Sequence, residues 1–154
     1  MNHPALPVNA PAHAREAAFT QLLSPTRRGA RLARLLAVTQ LRAWSAPLDL
    51  TERAELVVAE LSANAVLHGL VPGRCFRLSL AWDPRAGRLL VEVTDARGDR
   101  FPRVLTPAGP TSGPLTPGGL GMTLVAALAD RWECVPCPPG GKTVRAVLTV
   151  RSDV

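Results

Sequence analysis

A helical segment with a regular polar stripe places the strongest constraint on the fold of this chain. Within ELSANAVLHG, Glu60, Asn64 and His68 follow one another at intervals of four residues. Residues at this spacing share one side of an α-helix, and leucine and valine side chains surround them. A carboxylate is rarely buried without a partner, and a buried amide needs its hydrogen bonds. Two interpretations follow: the helix edges a solvent cleft, or it walls a ligand site in which Glu60 and Asn64 point at a metal ion or a reacting water.

The composition is that of one globular domain. The chain has 154 residues, of which 47% are hydrophobic and 19% charged, and this length buries about two-thirds of the unfolded surface. The formal net charge is +6, but every basic residue except Lys142 is an arginine, and the 15 prolines suggest a codon bias. Nucleic-acid surfaces interleave basic with aromatic side chains, whereas aromatic residues make up only 4% here. We therefore expect no direct binding to nucleic acid.

The sequence predicts a cytoplasmic protein. No apolar run approaches the about 20 residues that cross a bilayer, and the N-terminus lacks the basic start and apolar core of a secretory signal. We expect a disordered tail over residues 1–14 and a single domain over residues 15–154. Three cysteines do not make a disulfide framework. Cys134 and Cys137 form a lone CVPC before a turn, which favours structural cysteines over a metal site.

The N-terminal half of the domain predicts a strand followed by two helices. The strand covers residues 17–23. Ser24 and Pro25 then form a typical helix start, and we expect the helix to run to about residue 44 with an inward face of Leu32, Leu35, Leu36 and Thr39. Asp49, with Glu52 three positions later, predicts a capping box for a second helix over residues 50–68.

The C-terminal half predicts four strands and one helix. Alternating apolar side chains indicate a hairpin of residues 76–82 and 89–95 around the turn DPRAG. Residues 97–118 form a loop rich in proline and glycine, of a length typical of a functional lid or a disordered insert. A glycine-led helix follows, and then two strands at residues 132–135 and 143–150. This order predicts an α+β fold: a two-layer sandwich with helices on one face of a mixed, mostly antiparallel sheet.

Three more segments carry candidate ligand-binding groups. Asp95 ends a strand whose apolar side chains face the helices, so its carboxylate could accept a hydrogen bond from an exocyclic amine such as that of adenine. Gly119 and Gly121 lie where a helix N-terminus presents free N–H groups to phosphate. Thr143 begins the last central strand, where it either places a hydroxyl beside Asp95 or is an ordinary β-branched strand residue.

In this order the segments resemble the GHKL, or Bergerat-fold, ATP-binding domain that gyrase-type ATPases, heat-shock chaperones, mismatch-repair ATPases and histidine kinases share. The resemblance covers roughly residues 15–150. ELVVAELSANAVLHG is similar to the first box of that family, LLVEVTDARGDRFP to the second, and GGLGMTLVAALADRW with GGKTVRAVL to the third box and the closing strand. The small size and the helix ahead of the first box make the chain most similar to stand-alone anti-sigma-factor serine/threonine kinases.

The resemblance implies a role for each of these positions. Glu60 matches the catalytic acid that orients or deprotonates the attacking hydroxyl, and Asn64 matches the ligand of Mg²⁺ at the phosphates. Asp95 matches the reader of the adenine amino group. The resemblance also implies nucleotide contacts from a further set of residues: Gly98, Gly119, Leu120, Gly121, Met122 and Thr143. His68 matches a position that packs beside the site.

The second box departs from the family pattern D-x-G-x-G, because the chain has Asp95-Ala96-Arg97-Gly98-Asp99. Two classes of function therefore stay open. In the first, the protein uses ATP and Mg²⁺ to phosphorylate a small antagonist protein and also sequesters a sigma factor. In the second, the same fold acts as a non-catalytic switch that only holds its partners. The sequence leaves homodimer formation open.

Overall fold

The computed structural model describes residues 16–68, 71–99 and 119–152. The elements within these ranges are, in chain order, β1 (Ala17–Leu23), α1 (Arg27–Ala43), α2 (Leu48–His68), β2 (Phe76–Asp83), β3 (Arg88–Asp95), α3 (Gly119–Leu128), β4 (Arg131–Cys137) and β5 (Gly141–Thr149). The predicted tail over residues 1–14 and nearly all of the predicted loop over residues 97–118 lie outside the described ranges. None of the helices in those ranges is long and apolar enough to cross a membrane.

The five strands form one sheet in the spatial order β1-β2-β3-β5-β4, and each neighbouring pair is antiparallel. Side chains alternate between the two faces of a strand, so the apolar alternate positions of β2, β3 and β5 all point to one side. That side is buried, and its residues are Phe76, Leu78, Leu80, Trp82, Leu89, Val91, Val93, Val144, Ala146 and Leu148. The predicted two-layer α+β sandwich is confirmed.

The prediction for the inward face of α1 holds for Leu36, which packs against the core, and is wrong for the other three residues. Small residues spaced four apart face the core: Gly29, Ala33 and Ala37, followed by Leu41. Thr39 is exposed, Leu32 is 46% exposed and Leu35 is 63% exposed. Because a stripe of small side chains brings the helix backbone close to its neighbours, α1 lies against α2 with Leu32 and Leu35 outside. A Cβ at position 29 would collide with the carbonyl oxygen of Ser24.

Both helix starts also differ from the sequence prediction. The N-cap of α1 is Thr26, whose hydroxyl accepts a hydrogen bond from the Gly29 N–H at 3.0 Å. α2 begins at residue 48, so Asp49 lies inside the first turn instead of capping it. There its carboxylate accepts a hydrogen bond at 3.0 Å from Arg53, one turn later. The end of α2 at residue 68 agrees with the predicted range.

Arg53 fastens the long helix α2 to the end of the sheet. Its side chain is 6% exposed, and its guanidinium donates both to Asp49 and, at 2.7 Å, to the backbone oxygen of Thr149 in β5. Burial of an arginine is tolerated only when its charge is paired and its donors are satisfied. The contact therefore fixes α2 on the sheet layer that it covers.

Replacement of Arg53 by methionine should lower the free energy of unfolding by about 1–3 kcal/mol, because the oxygen of Thr149 loses its donor in a buried setting. Chemical denaturation followed by circular dichroism measures this loss. Arg34→Met is the matched control, since Arg34 pairs with Glu55 at 2.8 Å on the surface and such pairs contribute about 0–1 kcal/mol. Equal losses in the two variants would contradict the role given to Arg53.

Candidate nucleotide-binding site

Glu60 and Asn64 lie one turn apart on α2, at the edge of its buried face. Both side chains are half-buried. The neighbouring Leu61 and Ala65 belong to the core. Leu67, which the sequence placed in the same apolar face, is 50% exposed, so the acid and the amide border that face and are not enclosed by it. Neither polar side chain makes a hydrogen bond with another residue of the described ranges.

His68 is exposed in the last turn of α2. The residues that follow it, 69 and 70, lie outside the described ranges. The prediction that His68 packs beside the site stays a prediction.

Asp95 ends β3 with a side chain that is 6% exposed. By alternation it shares the face of Val91 and Val93, which is the face toward the helices. Its Oδ1 accepts a hydrogen bond at 2.9 Å from the backbone N–H of Arg97. This turn aims the carboxylate in the direction that the sequence predicts.

Lys142 is the ion-pair partner of Asp95, and sequence reasoning missed it. The two residues stand directly opposite each other in the β3–β5 register. The Nζ atom of Lys142 lies 2.9 Å from each carboxylate oxygen of Asp95 and 2.8 Å from the backbone oxygen of Arg97. Its side chain is 6% exposed. The only lysine in an arginine-rich chain was the signal that could have drawn attention to this position.

Thr143 does not lie beside Asp95. Its hydroxyl is 2.8 Å from the hydroxyl of Thr94, its partner across the β3–β5 pair. Neighbouring positions of a strand point to opposite faces, so Thr94 and Thr143 face away from the helices while Asp95 and Lys142 face toward them. The structure thus brings Asp95 together with Lys142 and separates it from Thr143.

The backbone at position 98 lies so close to the backbone of the β4–β5 turn that only glycine fits there. Its N–H donates to the oxygen of Gly140 at 2.8 Å, and a Cβ at position 98 would lie 2.7 Å from the oxygens of Gly140 and Gly141. A Cβ on Gly141 would lie 2.5 Å from the oxygen of Asp95. The segment after β3 is therefore held tightly against the β4–β5 turn, which accounts for the glycine without a nucleotide.

Arg97 lies at the centre of the altered second box, and its side chain pairs with Asp99, two positions later. Its guanidinium donates two hydrogen bonds to Asp99, both at 3.0 Å. This carboxylate raises the pKa of Arg97 above its usual value. Arg97 therefore serves the site through its backbone, which contacts Asp95 and Lys142, and its charge is paired locally.

A family model described as a histidine kinase-like ATPase domain matches residues 23–148. The chain belongs to the histidine kinase-like ATPase domain family. The matched stretch includes every described candidate residue, from Glu60 in α2 to Thr143 in β5. No protein of curated function matches the chain in sequence.

The fold of this ATPase domain is similar to a solved structure of the RsbU and RsbW domains of Rv1364c from Mycobacterium tuberculosis. The TM-score is 0.62 at 18% sequence identity, and the match covers 86% of this chain and 32% of that one. The domain therefore spans about a third of the length of the protein it resembles. At this identity the likeness establishes the fold, and the predicted GHKL architecture is confirmed.

The third box of the ATPase domain opens α3. The helix begins at Gly119, as the glycine-led entry predicted, and Leu120 and Gly121 lie in its first turn. Met122 is fully buried and belongs to the hydrophobic core. The predicted nucleotide contact of Met122 stays a prediction, and what the structure shows for this side chain is packing.

The cysteines of the ATPase domain do not form a metal site among the described residues. All three are free thiols, and the described ranges hold no group of three or more histidine, cysteine, aspartate or glutamate side chains able to bind a metal ion. Cys134 packs against the core, whereas Cys137, three positions on, points to the opposite face of β4. Burial raises the pKa of the Cys134 thiol; the charge of Lys142 lowers it and that of Asp95 raises it.

Cys134 should react slowly with iodoacetamide near neutral pH, while the exposed Cys75 reacts first. Only the thiolate attacks the reagent, and a raised pKa leaves a smaller thiolate fraction at any pH below it. The rate at Cys134 should therefore climb as the pH is raised. Mass spectrometry of tryptic peptides measures both rates, and the unfolded protein is the control. Labelling of Cys134 as fast as that of Cys75 in the folded domain would contradict the burial.

Proposed function

We propose that this ATPase domain is an anti-sigma-factor serine/threonine kinase. It transfers the γ-phosphate of ATP to a serine or threonine of a small antagonist protein, and it sequesters a sigma factor. The observation that carries the proposal is the pair Glu60 and Asn64: an acid and an amide one turn apart, half-buried, and without a hydrogen bond to another described residue. A domain without chemistry has no need to keep an acid beside its core, since burial of a carboxylate without a partner is costly.

Asn64 is suited to hold Mg²⁺. Its amide oxygen is a hard ligand, and Mg²⁺ is commonly bound by one or two protein oxygens together with substrate phosphates and waters. A single protein ligand of this type needs no cluster of carboxylates, which agrees with the side chains found in the described ranges. When bound, the ion supplies neutralisation of the charge on the phosphates.

Glu60 is the proposed general base. Its carboxylate takes the proton of the substrate hydroxyl as that oxygen forms a bond to the γ-phosphorus, and the bond from this phosphorus to the β–γ bridging oxygen breaks. ADP leaves with the electron pair. A half-buried carboxylate is suited to this step because water is partly excluded around it while one side stays open to a substrate hydroxyl.

The remaining assignments of the proposal concern the nucleotide. Asp95 accepts a hydrogen bond from the base, and the backbone of the first turn of α3, at Gly119 and Gly121, approaches the phosphates. Free N–H groups and the dipole of a helix N-terminus favour this position for an anion. The glycines allow the close approach that a side chain would block.

A specific observation favours a second function, a non-catalytic partner switch. The carboxylate of Asp95 already has a cation, Lys142, at 2.9 Å from both of its oxygens. An acid that is neutralised inside the protein binds a nucleotide base less strongly than a free one. The same fold would then act by holding a sigma factor or an antagonist, with no phosphoryl transfer.

Glu60→Gln should lower phosphoryl transfer by about 10²–10⁴, the usual contribution of a general base, and leave the affinity for ATP within a few-fold. Asn64→Ala should lose Mg²⁺-dependent ATP binding and transfer together, because the metal ion holds the phosphates before any chemistry. The assays use radiolabelled ATP with Mg²⁺ and the proteins that co-purify with the tagged domain, and titration calorimetry for ATP.

Glu52→Gln is the matched control, because it makes the same change at an exposed position of α2 and should alter neither quantity. Undiminished transfer in Glu60→Gln would remove its catalytic role. If the wild-type domain captures partners and transfers no phosphate to any of them, the switch function is the correct one.

A further inference from the structure

The Asp95–Lys142 pair lies where the proposed function places the nucleotide base, so its chemistry bears on which base is accepted. A carboxylate alone offers hydrogen-bond acceptors, and an ammonium offers donors. Here the two groups are in direct contact, and each side chain is 6% exposed. The end of β3 therefore presents an acceptor and a donor side by side.

The hydrogen bonds of Asp95 leave one of its oxygens partly available. Oδ1 accepts from the backbone N–H of Arg97 and from Lys142, both at 2.9 Å. Within the described residues, Oδ2 has one polar contact, an ion-pair distance of 2.9 Å to the Nζ atom of Lys142. Each carboxylate oxygen has two lone pairs, so Oδ2 can still accept one bond from an amino group. The cation at its side weakens that bond, because it has already neutralised the charge.

The ammonium of Lys142 is the donor of this pair, and its own partners decide whether it can also bind a base. Its three N–H donors face three acceptors, the two oxygens of Asp95 and the oxygen of Arg97, at 2.8–2.9 Å. Two of these contacts are to the same carboxylate: a hydrogen bond to Oδ1 and an ion-pair contact with Oδ2. A base carbonyl can take over one of them while the ion pair stays in place through the other. A carbonyl group is thus tolerated next to Asp95, where a bare carboxylate would repel it.

We propose that Lys142 is a specificity-determining residue, which makes the base site of this domain tolerant of a purine with a carbonyl group at C6 as well as of adenine. The inference rests on the proposed function, since it takes Asp95 to be the residue that meets the base. It extends that function by giving a role to Lys142 on β5, a residue to which the resemblance to the ATPase family assigns none.

The test compares the affinities of ATP and inosine triphosphate, whose base has a carbonyl oxygen where adenine has an amino group. The wild-type domain should bind the two within about threefold of each other. Lys142→Met removes the ammonium donor beside Asp95 and leaves the acceptor oxygens in place, so ATP should be preferred by about tenfold or more, as expected when a hydrogen bond to a charged group is gained or lost. The double variant Asp95→Asn/Lys142→Met should lose that preference.

Calorimetry with each nucleotide and Mg²⁺ gives the ratios, and circular dichroism confirms that each variant is folded. The wild-type ratio is decisive even if Lys142→Met fails to fold: a preference for ATP of about tenfold or more in the wild type overturns the inference. An unchanged ratio in a folded Lys142→Met variant overturns it as well. If wild type and Lys142→Met bind neither nucleotide, the inference and the nucleotide step of the proposed function fall together. Binding without phosphoryl transfer to any partner would remove the kinase function and leave the inference in place.

Discussion

The register between β3, the central strand of the sheet, and its neighbour β5 is the constraint on which the candidate base site depends. It sets Asp95 opposite Lys142 on the face toward the helices and Thr94 opposite Thr143 on the other face. A slip of one residue would turn Lys142 to the open face and leave the carboxylate of Asp95 buried without a cation. Since an unpaired buried charge is costly, the ion pair disfavours that slip. The same register keeps the backbone of Arg97 within reach of both charged groups.

The long helix α2 positions Glu60 and Asn64, the other half of the candidate site, through core packing and a hydrogen bond to the sheet. Its buried side carries the core residues Val57, Leu61 and Ala65, and Arg53 ties its N-terminal part to the end of β5. The helix is thus held along its length, and residues at the border of its buried face have a fixed direction. Glu60 and Asn64 occupy that border, where a polar side chain is half-buried and is still positioned by the packing beside it.

The sequence predicted the sheet well because a strand with one buried face shows, by its alternating apolar residues, which side chains point to the core. Phe76, Leu78 and Leu80 alternate with polar residues, and no other element fits that period. The face of α1 could not be predicted in this way. Its leucines and its alanines both recur at helical spacing, and only the distance between α1 and its neighbours decides which stripe is buried. A rule that places the larger apolar residues inside chose the wrong one.

The same distinction, between a local pattern and a contact between distant elements, separates the site residues that the sequence predicted from the one that it missed. Glu60, Asn64 and Asp95 were found because each is a polar residue inside an apolar pattern, which is a local signal. Lys142 was missed because its role comes from a pairing with a residue 47 positions away, and its one distinguishing mark, being the only lysine of the chain, does not indicate that partner. The prediction placed Thr143 beside Asp95 for the same reason. The register decides whether Lys142 or Thr143 stands opposite Asp95, and it depends on how two strands pair, which the sequence of one strand does not show.

The two halves of the site lie on separate elements, and this separation bears on the choice between a kinase and a switch. The acid and the amide are carried by α2, whereas the group proposed to meet the base is carried by the ends of β3 and β5. A change at the strand ends alters base recognition without moving Glu60 or Asn64. Phosphoryl transfer depends on the position of the phosphates, the metal ion and the attacking oxygen, and the base contributes mainly to binding. An altered second box is therefore compatible with retained chemistry, and the loss of selectivity at one end of a nucleotide is no argument against catalysis at the other.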